Sequence, residues 1–215
     1  MPGGRMEQTK EVISMMSRTH LAVGVTAALA LTNPDTPQTW MLAVIAGSAG
    51  GIVCDIDIAD SDRDNDAHIG QAIPVGITLC CLLADRLLHL GLWQGLMSRS
   101  RPLQLLGVMW YLVLCWLGYR SSHRTFTHSV TAMLLFSLAV WLVYPPLLPG
   151  FVAAYASHLV LDLLNKKGMR ILYPLPVSPS LGLCYAGGTV NKLLYRLGSI
   201  ASVLLTALSV WNWLH

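Results

Sequence analysis

The sequence predicts an all-α integral membrane protein, a bundle of about six or seven helices. Two observations lead to this fold class. Apolar residues make up 54% of the 215-residue chain and charged residues only 12%, about half the charged fraction of a soluble domain. The apolar residues also occur in long runs that are separated by short polar turns. A soluble globular domain is therefore excluded.

Seven apolar segments each predict one helix. They lie at about 20–31, 40–54, 71–92, 103–119, 129–147, 150–165 and 197–214. A helix needs about 20 apolar residues to cross the bilayer core, so the first, second and sixth segments predict helices that cross only partly or are shielded by neighbours. No A-x-A cleavage site follows the first segment, which runs into the turn NPDTPQT, so we keep it in the mature fold.

The chain divides into an N-terminal extension, residues 1–16, and a single membrane-embedded domain, residues 17–215. The extension is polar and has no helical stripe, so we predict that it is disordered and that Met16 is an alternative start of translation.

The five cysteines lack CxxC spacing, which favours core residues over a redox or metal site. A net charge of +3 is too small and too scattered for a nucleic-acid surface, so no nucleic acid is expected as a partner.

Counting the hairpins places one set of ionisable residues at the same end of the bundle. The first helix starts at this end, and the second and fourth helices return to it, the fourth delivering the motif SHRTFTHS. The sixth helix brings back AYASHLVLDLL, in which His158 and Asp162 share one face at i and i+4. The converging set is His20, Asp55, Asp57, His123, His128, His158 and Asp162.

These seven residues predict a metal site at one membrane face. Ionisable side chains in or beside membrane helices are costly unless they are paired, solvated or metal-bound. Four imidazoles and three carboxylates exceed what one four-coordinate zinc uses, so we expect two divalent ions about 3.5–4 Å apart, zinc first, with manganese or iron as alternatives. Such ions activate water and polarise a phosphoryl or carbonyl oxygen, which indicates hydrolysis.

The candidate catalytic residues are Arg124, Asp57 and His128. Arg124 lies between the two histidines of SHRTFTHS, where it could clamp a phosphate oxygen or neutralise an aspartate.

The acidic run at 60–66 lacks the glycine and the terminal glutamate of an EF-hand, so it is interpreted as a solvated loop, with cation binding as the alternative. Three histidines are expected to be caps or interfacial residues: His68, His89 and His215. Three hydroxyl residues are expected to cap the fifth helix: Thr125, Thr127 and Ser129.

Lysine and arginine are concentrated at the predicted metal face. Of the 14 in the chain, only Arg86, Arg99 and Arg101 fall at the other end by hairpin counting. The positive-inside rule then places the metal face at the cytoplasmic surface. The alternative is that some of the basic residues hold an anionic lipid headgroup or a phosphate, namely Lys166, Lys167, Arg170, Lys192 and Arg196.

Four motifs together resemble a known family. They are T-H-L near the start, C-D-I-D-x-x-D-S after the second helix, S-H-R-T-F-T-H-S, and A-Y-A-S-H-L-V-L-D-L-L-N-K-K-G-M-R-I-L-Y-P. Over about residues 17–196 the chain resembles the YdjM/YbcI-type inner-membrane metal-dependent hydrolases of bacteria, which are distantly similar to zinc-dependent phospholipase C. The resemblance implies an all-helical inner-membrane hydrolase whose metal positions are the same seven residues. Cys54 stands where we expect proline, but this departure removes no ligand.

The resulting expectation is a membrane-bound hydrolase that uses metal-activated water on an ester or phosphoester. Membrane lipids are its expected partners, and a lipid or another phosphoester its expected substrate. One alternative is a metal-ion transporter or sensor, which should show inverted repeats and ligands near the bilayer midplane. Another is a structural protein, in which a closed coordination shell only holds the helices together.

Overall fold

The computed structural model describes the backbone of residues 3–58, 65–183 and 188–215, and the side chains of residues 17–57, 71–183 and 188–215. Within these ranges the secondary structure elements are helices. The α-helices are α1 (Gly3–Thr32), α2 (Pro37–Ile52), α3 (Asn65–Leu88), α4 (Leu92–Met97), α5 (Arg101–Arg120), α6 (Val130–Val143), α7 (Leu148–Leu164) and α8 (Thr189–Leu214). A 3-10 turn at Val53–Ile58 continues α2, and another at Pro145–Leu147 precedes α7.

The predicted all-helical class is confirmed, and seven of these helices correspond to the seven predicted segments. The helix that the sequence did not predict is α4, which has no side-chain cap of its own. Instead, the carboxylate of Asp85 in α3 accepts the backbone N–H groups of Leu92 and Trp93, each at 2.8 Å. Residues 3–16 of the predicted extension form the first part of α1. The side chains of residues 1–16 lie outside the described residues, so the division of the chain into two parts stays a prediction.

Five helical segments of the described chain are long and apolar enough to cross a membrane. They are Pro37–Asp57, Gln71–Leu88, Arg101–Arg120, Pro145–Leu164 and Thr189–Leu214. The first is mostly buried by its neighbours, as expected for a central helix. By contrast, α5 and α8 expose large apolar side chains such as Trp116 and Leu204, which in a membrane would face lipid. The protein is therefore a membrane protein whose outer helices match an apolar surrounding.

The centre of the bundle is formed by α1, α2 and α7, which approach one another closely. A Cβ added to Gly50 of α2 would lie 2.5 Å from the carbonyl oxygen of Phe151 in α7. A Cβ added to Gly51 would lie 2.7 Å from the carbonyl oxygen of His20 in α1. Glycine at these two positions lets the backbones touch. This close packing brings ionisable residues of three helices to the same end of the bundle.

Candidate metal centre

All seven predicted ligand residues lie at one end of the bundle, where α2 and α7 end and α6 begins. Their side chains are buried, except for that of His123, which is 34% exposed. Potential ligand atoms lie within 4.8 Å of one another in three overlapping groups: His20 with Asp55 and His158, His128 with His158 and Asp162, and Asp57 with His123 and His128. The structure therefore brings the whole predicted set together.

Five of these residues form one compact group, which we call the inner cluster: His20, Asp55, His128, His158 and Asp162. The Nε2 atom of His128 lies 3.1 Å from Asp162 Oδ2 and 3.4 Å from His158 Nε2. Asp55 Oδ1 lies 3.8 Å from His128 Nε2 and 3.7 Å from His158 Nε2. His20 Nε2 lies 3.6 Å from Asp162 Oδ1, and the His20 ring stacks on the ring of His158. Three imidazole nitrogens and two carboxylates thus face one another.

The orientation of His158 is set by the end of α2. Its Nδ1 lies 2.8 Å from the carbonyl oxygen of Gly51. Because a carbonyl oxygen can only accept, Nδ1 carries the proton and Nε2 keeps a free lone pair that faces the inner cluster. Metal-binding histidines are held by hydrogen bonds of this kind. Gly51 lies in the last turn of α2.

The buried charges at this end of the bundle fit a divalent cation. Three carboxylates, those of Asp55, Asp57 and Asp162, are buried with the single guanidinium of Arg124 among the described residues there. These groups leave a charge of −2 when the histidines are neutral, and buried charge is costly unless it is compensated. Imidazole and carboxylate together suit zinc, manganese or iron.

His128 is the imidazole most strongly affected by these carboxylates, and it lies in the connection between α5 and α6. Burial lowers the pKa of His128, but hydrogen bonds to Asp162 and Asp57 outweigh burial and raise this pKa to about 10. A cation bound at Nε2 would displace the proton that the carboxylates otherwise favour there. The ring therefore occupies a position where positive charge is stabilised.

Comparison with known proteins agrees with the motifs. A family model described as YdjM inner membrane protein matches residues 15–214. The chain belongs to the YdjM inner membrane protein family. This YdjM-family chain is also 32% identical over 78 residues to the "Uncharacterized protein YvsG" of Bacillus subtilis (strain 168), a match that covers 35% of the chain and 49% of that protein. The chain thus spans about half the length of the curated relative it matches. No solved structure matches it.

Arg124 links two acidic residues of the candidate metal centre. Its Nη2 lies 3.2 Å from Asp162 Oδ1, and its backbone N–H donates to Asp57 Oδ2 at 3.0 Å. Its Nη1 donates to the carbonyl oxygen of Lys167. The guanidinium is buried, so its position corresponds to the second of its two predicted roles, the neutralisation of an aspartate.

Arg124 also has a φ of 65°, in the left-handed region. Arg124→Ala and Arg124→Gly both remove the ion pair with Asp162, but only glycine relieves the backbone. We expect both variants to unfold at lower temperature in detergent, the alanine variant being less stable than the glycine variant by about 1 kcal/mol. Equal unfolding temperatures for the two variants would show that the backbone conformation carries no cost.

Three polar residues support the centre although the sequence did not mark them as part of it. Asn165 Nδ2 donates to Asp162 Oδ1 at 3.1 Å, and its spacing of one helical turn from Asp162 was a usable signal. Ser17 Oγ lies 3.4 Å from Asp55 Oδ2. Thr127, which was predicted to cap α6, instead donates to Asp57 at 2.9 Å. The cap of α6 is Ser129, whose side chain accepts the N–H of Ala132.

The other sequence-based expectations concern residues away from the centre. His89 and His215 are exposed at helix ends. His68 and the acidic run at 60–66 lie outside the residues whose side chains are described. Cys54 and Cys81 belong to the apolar core as predicted, whereas Cys80 is exposed. None of the cysteines described here belongs to the groups of candidate ligands.

Proposed function

We propose that this YdjM-family protein is a membrane-bound metal-dependent hydrolase that acts on an ester or phosphoester, a lipid being one candidate substrate. The observation that carries the proposal is the inner cluster, in which three imidazoles and two carboxylates from separate segments of the chain meet at one end of the bundle. Zinc is the first candidate for the ion, with manganese and iron as alternatives.

A bound divalent ion would lower the pKa of water and polarise the scissile phosphoryl or carbonyl oxygen. The residues of the chain have separate tasks around it. His158 and His128 present Nε2 lone pairs, and Arg124 balances part of the charge of Asp162. His123 is the most exposed residue of the set, so its Nε2 can accept a proton from water or donate one to a leaving group.

The position of the inner cluster supports a substrate from the membrane surface. Asp55 and Asp162 lie within three residues of the ends of their apolar segments, so the cluster would lie near the lipid headgroups rather than at the bilayer midplane. The excess of lysine and arginine at this end supports a cytoplasmic orientation in an inner membrane. Basic residues near the headgroups would also attract an anionic substrate.

Burial of the cluster favours a second candidate, a metal-ion transporter or sensor. The side chains of His128 and His158 are completely buried, which suits an ion that is held as cargo or as a structural support. In that case the same ligands would bind the ion without turnover of any ester. The two candidates differ in one measurable property, the hydrolysis of a substrate by the ion-loaded protein.

The test is a hydrolysis assay on detergent-purified protein that is stripped with a chelator and reloaded with zinc, manganese or iron(II). The probes are nitrophenyl phosphate monoesters and diesters, nitrophenyl carboxylic esters, and vesicles of anionic phospholipid. We expect turnover of one class, loss of turnover with the chelator and recovery on reloading. Bound ion without turnover of any probe, together with ion uptake into proteoliposomes, would contradict the hydrolase and support the transporter.

A further inference from the structure

Asp57 lies beside the inner cluster and is surrounded by donors. Its side chain is completely buried. Oδ1 lies 2.9 Å from His123 Nδ1, while Oδ2 lies 3.0 Å from the N–H of Arg124, 2.9 Å from Thr127 Oγ1 and 3.3 Å from His128 Nδ1. Each carboxylate oxygen has about two acceptor sites, so the three contacts of Oδ2 use that oxygen fully, whereas Oδ1 keeps one site. A metal ion at Asp57 would therefore bind through Oδ1 alone.

The ring of His128 connects Asp57 to the inner cluster. Its Nε2 faces Asp162 and His158, whereas its Nδ1 faces Asp57. A neutral imidazole that gives Nε2 to an ion carries its proton on Nδ1, and this proton needs an acceptor. Thr127 Oγ1 lies 3.1 Å from Nδ1, and because its hydroxyl donates to Asp57, its oxygen can accept the Nδ1 proton. Asp57 therefore holds His128 in its metal-binding tautomer in two ways, by its own contact at 3.3 Å and by accepting the Thr127 hydroxyl proton, which leaves the Thr127 oxygen to face Nδ1.

A second ion at Asp57 would be poorly held. The group of Asp57, His123 and His128 contains three potential ligands, but the Nδ1 atom of His128 keeps its proton when Nε2 binds the first ion. Asp57 and His123 would then be the two remaining protein ligands of this group. Protein zinc sites use at least three, and two is too few.

We propose that Asp57 is a positioning residue that holds both His128 and His123 with the proton on Nδ1, and that the centre binds one divalent ion through the inner cluster. This proposal rests on the metal dependence in the proposed function and differs from the two ions expected from the sequence. It also assigns a role to His123, because a proton on Nδ1 leaves the lone pair of Nε2 at the exposed side of the centre. In other enzymes a histidine that a carboxylate orients in this way transfers protons through its other ring nitrogen.

The test measures how many zinc ions the purified protein binds and how tightly, by mass spectrometry and by competition with a chelator. We expect about one equivalent in the wild type, in Asp57→Asn and in His123→Ala, with affinity weakened about 10–100-fold in Asp57→Asn alone. The matched control is Asp85→Asn, which alters a buried carboxylate that accepts two backbone N–H groups at α4. The control should bind zinc like the wild type.

Two results would overturn the proposal while leaving the hydrolase intact. One is two equivalents of zinc in the wild type, of which one is lost in both Asp57→Asn and His123→Ala. The other is an unchanged affinity in Asp57→Asn. X-ray absorption of zinc-loaded wild type needs no variant, and scattering from a second zinc at about 3.5–4 Å would equally contradict a single ion. Absence of any bound zinc, manganese or iron in the wild type would instead overturn the proposed metal dependence, and this assignment with it.

Discussion

Replacing His158 with alanine is expected to reduce the zinc content of the purified protein from about one equivalent to below about a tenth of one, and hydrolysis at least about 100-fold. His158 contributes a nitrogen to two of the three groups of candidate ligands. Its ring also stacks on His20 and hydrogen-bonds to the end of α2. Loss of the His158 ring therefore also removes the ring on which a second candidate ligand, His20, stacks.

The measurement is metal content by mass spectrometry, with thermal unfolding of the same samples to confirm that the protein is folded. His215→Ala is the control, because this histidine is exposed at the end of α8 and contacts only its own helix in the contacts described. The control should keep its metal and its activity. A His158→Ala protein that is folded and retains a full equivalent would contradict the position of the ion.

Asp162→Ala is a less clean test of the same ligand set. Asp162 pairs with Arg124 as well as with the histidines. Removing the carboxylate leaves the buried guanidinium unpaired, and such a change typically costs about 3–5 kcal/mol. Loss of metal in this variant would therefore combine the loss of a ligand with the loss of the fold, whereas His158→Ala keeps the ion pair between Asp162 and Arg124.

Gly50→Ala is expected to destabilise the whole bundle, by about 1–3 kcal/mol or more, and to weaken metal binding. The added Cβ would lie 2.5 Å from the carbonyl oxygen of Phe151, and a backbone atom cannot move aside as a flexible side chain can. Helices α2 and α7 must therefore separate. Asp55 follows directly after α2 and His158 lies on α7, so the same displacement also enlarges the inner cluster.

The matched control is Gly76→Ala, on the exposed side of α3. Nothing lies within 4 Å of a Cβ at this position, so alanine should be neutral or stabilising by about 0.5–1 kcal/mol, as expected inside a helix. Tryptophan fluorescence during thermal unfolding in detergent gives both values. If Gly50→Ala unfolded at the same temperature as Gly76→Ala, the close packing of α2 on α7 would be wrong.

The sequence was most informative about which end of the bundle each ionisable residue occupies. Hairpin counting needs only the number and direction of the helices, so His20, Asp55 and His158 could be placed together without any knowledge of side-chain packing. The spacing of His158 and Asp162 gave their common face because the helical period is a property of the backbone. By contrast, α4 was missed because a helix of six residues has too little periodicity to predict, and its start depends on Asp85 from a different helix.

The sequence by itself therefore determined the membrane class, the apolar helices and the identity of the residues that meet at one end. Only the tertiary structure decided what each of them faces. Asp57 and Asp55 are two positions apart in the chain, yet Asp55 faces the inner cluster and Asp57 faces Arg124 and Thr127. The physical reason is that the positions of the helices in the chain follow from local hydrophobicity. The orientation of a ring nitrogen or a carboxylate depends instead on hydrogen bonds to residues distant in the chain.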